Sequence, residues 1–209
     1  MDRFVTGTDT GVGKSVVSAA LAAALRGRGL PVRALKPVAS GVERGAGEDA
    51  TLLGMAAGHE PASLYRFRAP LSPHRAAMLE GQLVELAPLL RWVGGQAGWR
   101  IVEGVGGWEV PLSWELRVSD FAAALGFPVV VVAPDRLGVI NQALLTVEAV
   151  QRRKLEVATL VLVAQDAPDS STATNAADLE RLLPGIRVHR FPRIGMAQLA
   201  EAGAELWGF

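Results

Sequence analysis

The 209-residue sequence contains no cysteine, which excludes disulfide bonds, thiolate nucleophiles and cysteine-ligated metal sites. It has no excess of charge either, since Lys+Arg and Asp+Glu both total 21. Nothing in its composition therefore favours nucleic acid or an anionic membrane as a partner. Its apolar runs, such as residues 127–134, are far shorter than the roughly 20 residues that cross a bilayer. The first predicted strand begins close to Met1, which leaves no room for a signal peptide, and we expect a cytoplasmic protein.

Lysine is scarce as well. Only Lys14, Lys36 and Lys154 are lysine among the 21 basic residues, and the rest are arginine. A lysine kept against this bias suggests a site that needs a compact ammonium rather than a planar guanidinium. The competing interpretation, survival by chance, suits Lys154, which follows two arginines. Lys14 and Lys36 follow a glycine-rich and a strand-like segment, and both are candidate functional residues.

Half of the residues are apolar, which is enough for a sizeable core. Continuous apolar strands alternate with helical patterns, and this alternation predicts a mostly parallel sheet with helices on both faces. The predicted strands lie at 4–5, 32–35, 100–102, 129–132, 158–164 and 188–191, and the predicted helices at 15–28, 49–57, 84–93, 118–125, 139–153, 173–183 and 196–206. We expect one α/β domain over residues 1–209, with ligands beyond the carboxyl ends of its strands.

A glycine-rich loop at residues 7–15 lies between a predicted strand and a predicted helix and reads GTDTGVGKS. This context predicts a phosphate-binding loop (P-loop), because glycines let backbone N–H groups converge beside a helix N-terminus. Lys14 would reach the β- and γ-phosphates, and the Ser15 hydroxyl would bind Mg²⁺. Five residues rather than four separate Gly7 from Gly13. The alternative is an ordinary glycine-rich turn.

Three further residues are candidates for the same site. Lys36 ends the second predicted strand and could point over the γ-phosphate and its acceptor, or it could be a surface lysine. Glu103 ends a predicted apolar strand, where an acid could bind Mg²⁺ or serve only in a turn. Asp49 precedes a helical pattern, where helix capping competes with metal binding. Ser15, Asp49 and Glu103 together offer the oxygen ligands that Mg²⁺ prefers.

The three histidines, His59, His74 and His189, lack metal-binding spacing, and we interpret them as surface or satisfied core residues. The serines lack a nucleophile context, so a hydrolase triad is not supported.

Several of these segments together resemble the dethiobiotin synthetases. The resemblance extends from the N-terminus to about Asp166. The matching segments are residues 5–10, 12–15, 36–41, 72–74, 102–104, 106–108, 111–112, 137–138, 140–141 and 145–146.

The resemblance implies an ATP- and Mg²⁺-dependent ligase of biotin biosynthesis acting on 7,8-diaminononanoate and CO₂ or bicarbonate. One amine would take up CO₂ to give a carbamate, ATP would phosphorylate the carbamate, and the second amine would close the ring of dethiobiotin. It also implies a homodimer in which the loop at residues 138–141 reaches toward the partner's substrate.

The resemblance further implies roles for individual residues. Lys36 and Lys14 would be catalytic, and Ser15, Asp49 and Glu103 would bind Mg²⁺. Substrate contacts would come from Thr10, Lys36, Ser40 and Asn141. Nucleotide contacts would come from Gly11, Val12, Gly13, Lys14, Ser15, Val16, Asp49, Glu103, Gly104, Val105, Gly106, Gln165 and Asp166.

Two segments depart from the family pattern. Gln165 stands where the family has an asparagine at the adenine site, and residues 192–194 read Pro-Arg-Ile where the family's later nucleotide-contacting segment has Pro with an apolar or aromatic neighbour. Two alternatives stay open beside the synthetase. One is a cobyric-acid-type synthetase, although this sequence lacks the cysteine nucleophile of a glutaminase. The other is a nucleotide-switch ATPase that binds a protein partner, and the segment at residues 36–41 favours the enzyme over it.

Overall fold

The computed structural model describes residues 1–43 and 45–208. Its strands are β1 (Arg3–Gly7), β2 (Val32–Leu35), β3 (Val38–Ser40), β4 (Tyr65–Phe67), β5 (Trp99–Gly107), β6 (Val129–Pro134), β7 (Val157–Val163) and β8 (Val188–Phe191). Its α-helices are α1 (Lys14–Gly27), α2 (Glu48–Ala57), α3 (Pro73–Leu79), α4 (Leu86–Gly94), α5 (Val118–Leu125), α6 (Val139–Arg152), α7 (Asn175–Leu182) and α8 (Leu199–Trp207). A short 3₁₀ turn, Met196–Gln198, precedes α8.

Six strands form one sheet in the order β2-β5-β1-β6-β7-β8, and every neighbouring pair is parallel. Strand β1 therefore lies in the interior of the sheet, between β5 and β6. Because all strands run the same way, the segments that follow them meet at one edge of the sheet. The predicted α/β fold with a parallel sheet is confirmed.

Both faces of this sheet are buried. In β1, Phe4 belongs to one hydrophobic cluster and Val5 to the other, as the alternation of side chains in a strand requires. Ile101 and Val102 divide between the two clusters in the same way. Helices α1, α2 and α8 contribute to the cluster that contains Val5, and α4, α5, α6 and α7 contribute to the cluster that contains Phe4. Burial on both faces explains why the strands read as continuous apolar runs.

Several predicted elements differ from the structure. The helix predicted at 173–183 begins at Asn175, and the helix predicted at 196–206 begins at Leu199, after the 3₁₀ turn. The small parallel pair β3–β4 and helix α3 were not predicted, because three-residue strands and a seven-residue helix are too short for a periodic pattern. The helix predicted at 84–93 begins two residues later, at Leu86. Strand β5 continues to Gly107, so Glu103 lies within the strand and does not end it. The β1–β5 register shifts between Val5 and Gly7, which lets the strand extend past Glu103 into a glycine-rich segment.

Helix α8 packs tightly against α1, and Gly203 makes this approach possible. A Cβ added at Gly203 would lie 1.9 Å from the Ala20 carbonyl oxygen, which is far inside van der Waals contact. The Trp207 indole N–H donates a hydrogen bond to the Leu21 carbonyl at 3.0 Å and fixes the same pair of helices. The first and last α-helices of the described chain are thus one packing unit.

Within the described residues, none of the helices combines the length and the apolar character needed to cross a membrane.

We expect Gly203→Ala to lower the free energy of unfolding by about 1–3 kcal/mol, because the added methyl group forces α8 away from the α1 backbone. The measurement is urea denaturation of both proteins. Gly94→Ala is the matched control, since a Cβ there meets no atom within 4 Å. Equal stability of Gly203→Ala and wild type would show that the two helices separate without cost.

Candidate active site

The glycine-rich loop connects the end of β1 to the start of α1, and Lys14 is the first residue of that helix. Gly13 caps the helix with φ of 97°, in the left-handed region that favours glycine. Its carbonyl accepts the first helical hydrogen bond from the Val17 N–H at 3.2 Å. A Cβ on Gly13 would lie 3.0 Å from Val163, so the loop also packs against the end of β7. The predicted strand–loop–helix context is confirmed.

Lys14 is buried, with 6 % of its surface exposed, and its Nζ donates to the Asp9 carbonyl at 2.9 Å. Its pKa is lowered to about 8, first by desolvation and then by the nearby positive charge of Lys36, against the opposing effect of Glu103, Asp49 and Asp9. A desolvated ammonium with one backbone partner is available to an anion such as a phosphate. The loop is therefore prepared for a ligand that brings negative charge.

The Nζ atom of the second lysine, Lys36, lies within hydrogen-bond distance of three acceptor oxygens. Its Nζ lies 2.5 Å from Glu103 Oε1, 2.8 Å from Asp49 Oδ2 and 3.0 Å from the Gly104 carbonyl oxygen. These contacts use all three donors of an ammonium group. Lys36 is 3 % exposed, so the interpretation as a surface lysine is wrong.

Asp49 and Glu103 meet at the hydroxyl of Ser15. Ser15 Oγ lies 2.6 Å from Asp49 Oδ1 and 2.9 Å from Glu103 Oε1. Asp49 is the second residue of α2 and makes no capping contact, because the helix begins at Glu48 after Gly47. The capping interpretation of Asp49 is therefore wrong, and the aspartate belongs to this cluster.

The charges in the cluster stabilise one another. Burial alone would lower the pKa of Lys36, but the attraction of Glu103 and Asp49 and their hydrogen bonds outweigh it and raise the pKa. Burial alone would raise the pKa of Asp49, but Lys36, Ser15 and Lys14 together lower it. Lys36 is consequently a fixed positive charge near neutral pH.

The oxygen atoms of this cluster suit a hard divalent cation. Ser15 has one hydroxyl proton but two carboxylate oxygens within hydrogen-bond distance, so one of those oxygen–oxygen contacts has no proton between its atoms. Glu103 Oε2 is buried and has no hydrogen-bond partner in the structure. Both facts leave negative charge uncompensated, and Ser15, Asp49 and Glu103 fit a Mg²⁺ site. No group of three or more His, Cys, Asp or Glu residues suited to a metal occurs in the described chain, so other ligands would complete the coordination.

The other residues predicted to contact the substrate are Thr10, Ser40 and Asn141. Thr10 lies beside the segment after Glu103, since a Cβ on Gly106 would be 3.5 Å from Thr10 Oγ1. Ser40 ends β3, a few residues beyond Lys36. Asn141 is exposed near the start of α6. Neither Ser40 nor Asn141 forms a hydrogen bond with the cluster in the part of the chain that the structure describes.

The segment after β7 holds the predicted adenine-site residues. The Gln165 Nε2 amide donates back to the Val163 carbonyl at 2.8 Å, which occupies one of its two donors. Asp166 forms an exposed ion pair with Arg193. The side chains of Gln165 and Asp166 are therefore both engaged within the protein.

One buried polar pair was missed by the sequence analysis. Asp135 follows β6 and accepts a hydrogen bond at 2.8 Å from the Asn175 amide, and both side chains are buried. This contact anchors the loop that leads into α6, and Asn141 lies in the first turn of that helix. An acid directly after a buried strand is the signal that could have identified Asp135, whereas Asn175 has no comparable signal.

Comparison with known proteins identifies the family. The model of the "AAA domain" family matches residues 2–195. The ATP-dependent dethiobiotin synthetase BioD of Anaeromyxobacter dehalogenans is 44 % identical over 197 residues, covering 90 % of this chain and 86 % of the relative. The protein of the same name from Ralstonia nicotianae is 42 % identical, with coverage of 92 % and 89 %. The chain belongs to the dethiobiotin synthetase family. That family consists of ATP-dependent ligases, and the predicted resemblance is confirmed.

The solved structures that resemble this synthetase-family chain support the fold alone. The apo form of McdA from Cyanothece superposes with a TM-score of 0.55 at 12 % identity, covering 99 % of this chain and 92 % of McdA. The signal recognition particle receptor FtsY from Elizabethkingia anophelis gives a TM-score of 0.56 at 14 % identity, covering 98 % of this chain and 64 % of FtsY.

We expect Asp49→Asn to melt at a lower temperature than wild type at pH 7, because it loses the ion pair with Lys36. A carboxyl whose pKa is lowered on folding contributes stability above its ordinary pKa of 3.8, and the contribution disappears as pH falls through the lower folded value. The difference between the two melting temperatures should therefore shrink below pH 4. Glu48→Gln, at the neighbouring exposed acid, is the control and should leave the melting temperature nearly unchanged at pH 7. A difference for Asp49→Asn that is constant down to pH 2 would contradict the ion pair.

Proposed function

We propose that this protein is a dethiobiotin synthetase that joins 7,8-diaminononanoate to CO₂ with hydrolysis of ATP to ADP and phosphate. The observation that carries the proposal is the second buried lysine, Lys36, placed beside the P-loop cluster of Ser15, Asp49 and Glu103. Phosphoryl transfer to an anionic acceptor brings two negative groups together, and a fixed cation beside them stabilises that arrangement. The relatives of this name cover most of the chain at 40 % identity or more.

The reaction is proposed in three steps. One amine nitrogen attacks CO₂ and releases a proton to solvent, which gives a carbamate. A carbamate oxygen then attacks the γ-phosphorus of ATP, and the bond to ADP breaks. The second amine nitrogen attacks the carbonyl carbon of the mixed anhydride, the leaving phosphate takes up the amine proton, and the ureido ring closes.

The two lysines supply charge rather than proton transfer in this scheme. Because its pKa is raised, Lys36 stays protonated and acts as a fixed positive charge toward the carbamate and the transferred phosphoryl group. Lys14, at the helix N-terminus, faces the β- and γ-phosphates together with the loop N–H groups. The carbamate and the phosphate are both anions, and positive charge holds them together without a general base. The lack of any cysteine and the position of the histidines outside the cluster agree with this.

Ser15, Asp49 and Glu103 would hold Mg²⁺. Bound there, the ion supplies positive charge to the phosphate oxygens. Glu103 contacts both Lys36 and Ser15. It therefore orients both the ammonium that would face the carbamate and the hydroxyl that would bind Mg²⁺.

The segment predicted as a loop at residues 138–141 is Gly138 and the first turn of α6, so it is not a loop. We also propose that the enzyme is a homodimer in which this segment contributes to the partner's substrate site. Leu137 and Leu145 are exposed by 79 % and 59 %, and they flank the exposed Asn141. Exposed apolar side chains around a polar residue are typical of a surface that is covered in an assembly. Thr10 and Ser40 would contact the substrate from the same protomer as Lys36.

The test is phosphate release with ATP, Mg²⁺ and bicarbonate, measured with and without diaminononanoate. We expect release to require the diamine and to be accompanied by dethiobiotin, detected by mass spectrometry. Lys36→Gln should lower kcat by about 30- to 1,000-fold, the equivalent of about 2–4 kcal/mol of transition-state stabilisation, with a smaller effect on ATP binding. Lys154→Gln, at the exposed lysine, is the matched control and should behave as wild type. Diamine-independent phosphate release would favour a nucleotide switch instead.

We expect only modest discrimination between ATP and other triphosphates, of about tenfold, because Gln165 already donates one amide N–H to the Val163 carbonyl. The phosphates and Mg²⁺, which do not distinguish bases, would supply most of the affinity. Gln165→Asn should raise the preference for ATP, measured as kcat/KM for ATP, GTP and CTP. Gln151→Asn, at an exposed position on α6, is the control. Strong selectivity for ATP that Gln165→Asn leaves unchanged would mean that another element reads the base.

A further inference from the structure

A cavity of about 280 Å³ opens at the end of the sheet opposite the P-loop. It lies between the first residues of β1, β6 and β7, the segment that leads into β8, and helix α8. Arg3 begins the strand whose far end, Gly7, opens the P-loop, so the two places are separated by the length of β1, or roughly 13 Å. The cavity is therefore distinct from the candidate active site.

Two arginines line this cavity, and among residues 1–43 and 45–208 neither has a carboxylate partner. The Arg3 guanidinium lies 4.6 Å from the centre of the Trp207 ring and donates one hydrogen bond to the Asp2 carbonyl at 2.9 Å. The Asp2 carboxylate is bound to Arg100 instead. Within the described residues no ion pair joins Arg3 or Arg187 to an acid. Guanidinium donors beside a cavity with no anionic partner are suited to binding an anion.

A histidine also lies in this wall. Its Nε2 atom is buried and has no hydrogen-bond partner among the described residues. The pKa of His189 is lowered by burial and by Arg187, against the opposing effect of Glu205. The imidazole is therefore neutral at pH 7 and adds no charge to the cavity. His189 is half-buried, so of the two interpretations, surface residue or satisfied core residue, only the second is wrong.

The rest of the wall is apolar or already bonded. The Thr159 hydroxyl donates to the Arg187 carbonyl at 2.9 Å and fixes the backbone that carries this arginine. Leu21, Val130 and Leu206 are buried apolar residues of the lining. Glu156 and Glu205 add negative charge near Arg3 and His189, but both are exposed to solvent, where their effect is screened.

We propose that this cavity is a second binding site, for a small molecule that carries a carboxylate or phosphate group on an apolar body. The anionic oxygens would accept hydrogen bonds from Arg3 and Arg187, and the apolar part would contact Trp207 and the aliphatic wall. The volume lies just below the roughly 300–1,000 Å³ of pockets for drug-sized ligands, so the ligand is small. The site does not depend on the proposed function, because it shares no residue with the P-loop cluster.

The test is titration of the full chain with hexanoate, followed by the indole N–H signals of the five tryptophans in ¹H–¹⁵N NMR spectra. A Trp207→Phe variant assigns the relevant signal. We expect the Trp207 signal to shift saturably with hexanoate and not with hexanamide, which has the same shape but no charge. Butyl phosphate in a parallel titration shows whether a phosphate group binds more tightly than a carboxylate.

Three variants connect the shift to the cavity. Arg187→Gln should weaken hexanoate binding by about tenfold or more while preserving the fold, since its guanidinium is exposed and has no partner in the described residues. Arg91→Gln, at an exposed arginine on α4, is the control and should bind as wild type. Lys14→Ala removes the P-loop cation and should leave the Trp207 shift intact. An equal response to hexanamide, an unchanged affinity in Arg187→Gln, or loss of the shift in Lys14→Ala would each overturn the proposal.

Discussion

The buried ion pair between Lys36 and Glu103 is the interaction on which the candidate site depends. Both groups are removed from water, and removal of either partner would leave a buried charge uncompensated, at a cost of about 3–5 kcal/mol in comparable pairs. Glu103 belongs to β5 and Lys36 follows β2, so the pair also fixes two neighbouring strands relative to each other. Asp49 and Ser15 add α2 and the P-loop to the same network.

This network explains why the site is rigid but electrostatically incomplete. The ammonium of Lys36 has three acceptors for its three donors, and it has no donor left for a further hydrogen bond. The oxygens of Ser15, Asp49 and Glu103, in contrast, have too few protons for their contacts, and Glu103 Oε2 has no hydrogen-bond partner among the described residues. Lys36 and Ser15 both contact Oε1 of this glutamate. The positive charge of Lys36 therefore does not fully compensate the negative charge of the two carboxylates.

The parts of the fold that the sequence predicted are those that repeat a physical pattern. Continuous apolar runs identified the parallel strands, since burial on both faces removes polar residues from them. The scarcity of lysine identified Lys14 and Lys36, because a sequence that prefers arginine keeps lysine where geometry requires it. Asp49 was identified with two competing roles, and only the position of Gly47 at the helix start decided between them. The Asp135–Asn175 contact joins residues 40 positions apart through tertiary structure, and no local pattern encodes it.

The packing of α8 on α1 has a consequence for how the chain is made. Trp207 and Leu21 are separated by 186 positions, so one face of the helix that begins at the P-loop is covered by a helix far along the sequence. During synthesis α1 can pack on α2 and the early strands, but the face that contacts α8 stays exposed to water until α8 has left the ribosome. Contacts of such long sequence separation form slowly, and exposed apolar surface favours association with other chains in the meantime. The helix that follows the P-loop is therefore covered in part by a segment that lies beyond the recognisable motifs.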